Sequence, residues 1–87
     1  MFQAELLTSL DLLKKGNFKP GVEMEKVHQM CQEHEGSRFH DWIHALVHRI
    51  EGDVANAAYW YRRAGTMQHS GSFEEEWRII RNVAERN

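Results

Sequence analysis

Apolar residues recur along this chain at helical intervals, and each run ends near a glycine. Phe2, Leu6, Leu10 and Leu13 form the first stripe and predict a helix from about Phe2 to Lys15. Lys14 and Lys15 suit the negative end of its dipole, and Gly16 can take the left-handed turn beyond it. After a short loop, Pro20 suits the first turn of a second helix running to about Glu35. Its apolar face is Met24, Val27, Met30 and Cys31, with His34 on the same side and Gly36 as the stop. Ser37 is placed to cap a third helix, Arg38 to Glu51, with a broad face of Phe39, Trp42, Ile43, Leu46 and Ile50. Gly52 breaks it. Asp53 caps a fourth helix, to Ala64, whose inner face would be Val54, Ala57, Ala58, Tyr61 and Ala64. Gly65 and a polar loop, Thr66 to Gly71, follow. Ser72-Phe73-Glu74-Glu75 is a capping box opening a fifth helix lined by Phe73, Trp77, Ile80 and Ala84. No strand-like alternation competes. The expectation is an all-α fold, about five short antiparallel helices in one small bundle spanning residues 1–87.

The stretch Ala45 to Ala64 is the most specific. Ala45, a Gly52-Asp53 turn, then Ala57, Tyr61 and Ala64 stand in the order and spacing of a helical hairpin in which alanines admit close approach and an aromatic fills the seam. This resembles a hairpin of the tetratricopeptide-repeat class, and Ala57-x-x-Trp60-Tyr61-x-x-Ala64 is similar to its Sel-like variant. The resemblance implies a central repeat-like hairpin over about residues 38–65 and, by analogy, a protein-interaction role. His44 and His48 stand where such hairpins usually offer a bulky apolar residue and an aromatic. No second copy recurs at a fixed period, so the expectation is a hairpin within a bundle, not a solenoid.

Composition narrows the function classes. With 87 residues there is room for one domain, and 28% charged with 41% hydrophobic residues is a globular balance. The net charge of −2 gives no electrostatic draw toward nucleic acid or an anionic membrane. No apolar run approaches the roughly 20 residues that span a bilayer. The start, Met1-Phe2-Gln3-Ala4-Glu5, lacks a basic end and apolar core of the signal-peptide kind, and the single Cys31 has no partner for a disulfide. The expected compartment is therefore cytoplasmic.

Two constellations could carry function. His40, His44 and His48 are spaced four apart, and Glu51 follows three later, so all four are neighbours along one helix. His44, His48 and Glu51 could chelate a divalent metal such as zinc, with His40 or His34 as a further ligand. A metal-dependent hydrolase would follow if one position stayed open. His28 and His34 could join only if the second helix packs across this stripe. Against this, the same spacing serves histidines that hydrogen-bond to a neighbouring helix or to water. The second constellation is Tyr59 with Arg62 and Arg63 on the outer side of the fourth helix. Aromatics with arginine anchor protein interfaces, although an arginine resting on a ring also occurs with no partner. Trp42, Trp77, Phe39 and Phe73 read as core, Cys31 as an inert buried thiol, and the arginines as offset by Glu74, Glu75 and Glu76. A ligand pocket among Trp42, Trp60 and Trp77 is not separable by sequence. The leading expectation is a small interaction module, with no cofactor and no enzymatic activity, that binds another protein or a second copy of itself through Tyr59, Arg62 and Arg63. The alternative is a metal-binding protein.

Overall fold

A computed structural model describes residues 2–86, with side chains from Ala4 onward. Phe2, expected in the first stripe, has its side chain outside the described ones. Five helices follow in order: α1 Phe2–Lys15, α2 Val22–Glu33, α3 Arg38–Ile50, α4 Val54–Ala64 and α5 Phe73–Arg86. No strand occurs among the described residues, and the all-α bundle is as expected. No helix among them is long and apolar enough to cross a membrane.

The centre of the fold is α3. It packs against each of the other four helices, α1 additionally meets α2 and α5, and among the described residues the backbone of α4 approaches α3 alone of the helices. Residues Asp41 to Val47 of α3 are all buried, which a helix wrapped by neighbours requires. Leu10, Val27, Ile43, Leu46, Val47 and Ile80 are fully enclosed and join the helices into one core. Each such side chain contributes roughly 1.5–3 kcal/mol by leaving water. Ala45, Ala57 and Ala64 are buried between α3 and α4, and Tyr61 fills the seam beside them. Trp42 and Trp77 are buried, Phe39 and Phe73 partly so, and Cys31 is enclosed with its thiol pushed upward by burial and then by nearby Asp41.

Several local expectations hold and several are corrected. Gly36, Gly52 and Gly65 turn the chain at φ of 96°, 81° and 71°, the left-handed region that a side chain disfavours. The Asp53 carboxylate accepts from the Asn56 N–H, and Ser72 and Glu75 exchange the two hydrogen bonds of a capping box at 3.0 and 2.9 Å. After α1, however, the left-handed residues are Asn17 and Phe18, not Gly16. The Phe18 N–H returns to the Leu13 carbonyl, and the Phe18 and Trp77 rings meet edge to face with 6.1 Å between centroids, so packing offsets the backbone cost. Pro20 lies before α2, which starts at Val22 and ends at Glu33. Ser37 does precede α3, but its hydroxyl does not cap the helix; it faces His40 Nδ1 at 3.1 Å. Val54, placed by its spacing on the inner face of α4, is 70% exposed at the first position of the helix.

Candidate metal centre

Three imidazoles meet where α2 crosses α3. His44 and His48 are one turn apart on α3, so their rings lie on one face, stacked at 4.9 Å between centroids and 20° between planes. His28 comes from α2, and its ring meets His44 edge-on at 4.7 Å and His48 edge-on at 5.2 Å. One ring nitrogen from each of the three lies within 4.8 Å of the other two. His44 is buried, while His28 and His48 reach partly to solvent. On its other side His44 stacks against Trp60 of α4 at 3.9 Å.

The hydrogen-bonding state of these rings is uneven. His48 Nδ1 faces the Glu51 carboxylate at 3.1 Å, which orients the ring and leaves Nε2 available. His44 Nδ1 is buried and has no hydrogen-bond partner. Burial holds the His44 imidazole neutral, its pKa pushed down to about 3, and neighbouring His28 and His48 add to the effect. His28 moves the same way, through burial first and His48 second, with Glu51 opposing. Neutral imidazole is the form that ligates metal, so at neutral pH these two rings need lose no proton to bind an ion.

Five of the six histidines fall into two groups. His28, His44 and His48 converge. His40 and His34 form a separate pair at the other end of α3, 4.5 Å between ring centroids, with His34 bonded to Glu5 and His40 to Ser37. Glu51, read from its spacing as a ligand, stands behind His48 as its hydrogen-bond partner. The third converging donor is His28. Its recruitment depends on α2 lying across α3, a long-range contact that spacing within one helix does not reveal.

The other sequence-marked residues are placed separately. Tyr59 is 42% exposed on α4. Arg63 donates to the Tyr59 hydroxyl at 2.9 Å and lies over the Tyr59 and Trp60 rings, while Arg62 is exposed. The three tryptophans serve three partners: Trp60 stacks on His44, Trp77 donates to the Leu10 carbonyl at 2.7 Å, and Trp42 donates to Glu76 at 3.0 Å.

Glu76 is a residue that sequence reasoning missed. It is fully buried rather than part of a solvated acidic run. Oε1 accepts from Arg49 at 2.7 Å, and Oε2 accepts from Trp42 and from the Tyr61 hydroxyl at 2.6 Å. Arg49 also bonds to the Gly71 carbonyl and lies over the Phe73 ring, tying the loop before α5 to α3. The available signal was position: Glu76 follows Phe73 by three and precedes Ile80 by four, which puts it on the inner stripe. Compared with known proteins, the chain matches no family model, no curated protein and no solved structure.

Proposed function

We propose that this protein binds one divalent transition-metal ion through His28, His44 and His48. The observation that carries the reading is the convergence of three ring nitrogens around a buried imidazole whose Nδ1 has no partner. A buried polar atom left unsatisfied costs about 1–3 kcal/mol, and coordination through that nitrogen would remove the cost. Metal–nitrogen bonds of about 2.0–2.1 Å in a tetrahedral site place ligand atoms about 3.3 Å apart. The three ring nitrogens, within 4.8 Å of one another, have to close to that spacing on binding. An all-imidazole set suits zinc, copper, nickel or iron and does not suit the hard cations magnesium and calcium. Glu51 behind His48 supplies the carboxylate–histidine arrangement that raises ligand basicity and fixes the tautomer. No fourth His, Cys, Asp or Glu joins the group among the described residues, which leaves a position for water or an external ligand.

Calorimetric titration and native mass spectrometry with zinc, nickel and copper salts test this. One ion per chain is expected. His28→Ala is the clean variant because His28 is only partly buried and its loss leaves α3 intact. It should weaken binding by at least 100-fold, and Glu51→Gln by roughly 10-fold. Wild-type protein that holds none of these ions above background, or a His28→Ala variant of unchanged affinity, overturns the proposal. A second reading, a surface for another protein or a second copy, rests on the exposed Tyr59 ring beside Arg62.

A further inference from the structure

Helix α4 is packed on one side only. Among the described residues its backbone approaches no helix but α3, and it turns Ala57, Trp60, Tyr61 and Ala64 inward. The other side carries an ordered pattern. Ala55, Ala58 and Arg62 follow one another at spacings of three and four, so they form one stripe. Ala55 and Arg62 are exposed, and Ala58 is half-buried. Val54, 70% exposed, and Tyr59, 42% exposed, flank the stripe on its two sides. Among the described residues no other helix exposes two large apolar side chains.

Charge makes this pattern its own complement. Glu51 and Asp53 lie in the turn that opens α4, and Arg62 and Arg63 in its last turn. Asp53 is occupied by Asn56, and Arg63 by the Tyr59 hydroxyl. Arg62 has no ion pair among the described residues. The dipole of α4 favours the same signs at the same ends, but it does not account for the apolar centre between them. A two-fold axis level with the Asn56–Ala57 peptide bond would run two copies of α4 antiparallel. Ala55 then meets Ala58 of the second copy, Val54 meets Tyr59, and the acidic turn meets Arg62, each contact made twice. Facing alanines let the helix axes approach to about 8 Å. A parallel pair would instead set arginine against arginine and acid against acid.

We propose that this face of α4 is a homodimer interface, on which two copies of the chain pair antiparallel through Val54, Ala55, Ala58, Tyr59 and Arg62. The proposal rests on the reading of Tyr59 and Arg62 as a contact surface and commits that surface to a second copy. It requires no metal. Helix α4 has 11 residues and is about 16 Å long, so the face is smaller than the roughly 1,200 Å² of a standard interface. The dimer is a transient one, with a dissociation constant on the order of 100 µM. Analytical ultracentrifugation and amide NMR of the full chain, with chelator present, from about 20 µM to about 1 mM, test it. Sedimentation should move from monomer toward dimer over that range, with shifts confined to α4 and the turn before it. Arg62→Glu should weaken association at least tenfold. Adding Glu51→Lys to that variant should bring it back to within about threefold of wild type, because opposite charges again meet at both ends. Ala55→Lys, at an exposed position outside the core, should abolish association. A monomer at about 1 mM, association that survives Arg62→Glu or Ala55→Lys, or a second charge reversal that restores nothing overturns the proposal. A monomer that captures a different protein through Tyr59 and Arg62 also overturns it, while leaving the contact surface itself standing. The metal titration tests the histidine cluster separately.

Discussion

Helix α3 carries two buried polar clusters, and they are finished to different degrees. Around Glu76 the carboxylate receives Trp42, Tyr61 and Arg49, and Arg49 in turn holds the Gly71 carbonyl. Around His44 three imidazole rings crowd together, and one buried nitrogen has no partner. The Glu76 cluster joins α3, α4 and α5 and closes the loop between the last two. The histidine cluster joins α2 to α3 but gains little from the join without an ion. Satisfied buried polarity is architecture in such a small domain; unsatisfied buried polarity marks a place for something else.

The largest expected effect breaks the finished side. Glu76→Ala leaves Trp42 Nε1, the Tyr61 hydroxyl and the Arg49 guanidinium without their acceptor in the core. Removing one partner of a buried ion pair costs about 3–5 kcal/mol. A domain this small has a total stability on the order of 4–13 kcal/mol, so the variant should be largely unfolded or melt far lower. Glu76→Gln can keep an oxygen for Trp42 and Tyr61 but turns its NH2 donors toward Arg49, so it should melt below wild type and above Glu76→Ala. Thermal melts followed by circular dichroism check the order. Equal melts for wild type and Glu76→Ala would remove the architectural role.

Acid should act on the other end of α3. His40 is fully buried, and burial, then the nearby His34, push its pKa down to about 4, with Glu5 opposing. A value below the ordinary 6.5 means that the unfolded chain binds the proton more readily. The stabilisation is therefore full above about pH 6.5, is lost as pH falls toward 4, and is gone below that. Its size is on the order of 3 kcal/mol. Denaturant unfolding of metal-free protein at pH 7, 5.5 and 4.5 should show the decline, and NMR titration of the His40 ring should place its midpoint near 4. A His40 ring that titrates at 6.5 removes the effect.

Metal sharpens the comparison from the unfinished side. Ion that binds only the folded chain at 100 times its dissociation constant stabilises by about 2.7 kcal/mol. For a domain of this length that raises the melting temperature by roughly 10–20 °C. His28→Ala should show no rise, and its apo melt should stay close to that of wild type because its ring is only partly buried. A rise that survives His28→Ala would place the ion elsewhere.

What was legible before the structure follows the range of the interactions involved. The five helices rest on spacing, caps and glycine stops, all short-range, and Asp53, Ser72, Gly52 and Gly65 act as expected. The histidine stripe on α3 was legible for the same reason. His28 was legible only on the condition that α2 packs across the stripe, a condition the fold meets for His28 and not for His34, and Glu51 changed from ligand to supporting partner once His28 was in place. Glu76 was hidden by two acidic neighbours in sequence, although its register with Phe73 and Ile80 put it inside. Gly16 failed as the turn residue because the Phe18 ring, packed on Trp77, holds the left-handed conformation one and two residues later, at Asn17 and Phe18.

The smallest expected effect concerns the outer face of α4, where sequence placed a partner surface. Arg63 already donates to Tyr59 at 2.9 Å and lies 5.3 Å from the centre of the Trp60 ring, whereas Arg62 is exposed. Replacing both with Glu should leave the melting temperature within about 4 °C, since surface changes of this kind move stability little. It should abolish self-association or partner capture wherever that face is used, as read by analytical ultracentrifugation and by cross-linking. The same double variant also probes whether the two sides of Trp60 are independent. Trp60 stands between Arg63 and the His44 ring, so a change of charge on its outer side could reach the metal only through that stack. Metal affinity within about threefold of wild type would show that the histidine cluster acts by its own three rings. A loss of tenfold or more would make Trp60 part of the site, and the fluorescence of that indole would then follow the ion directly.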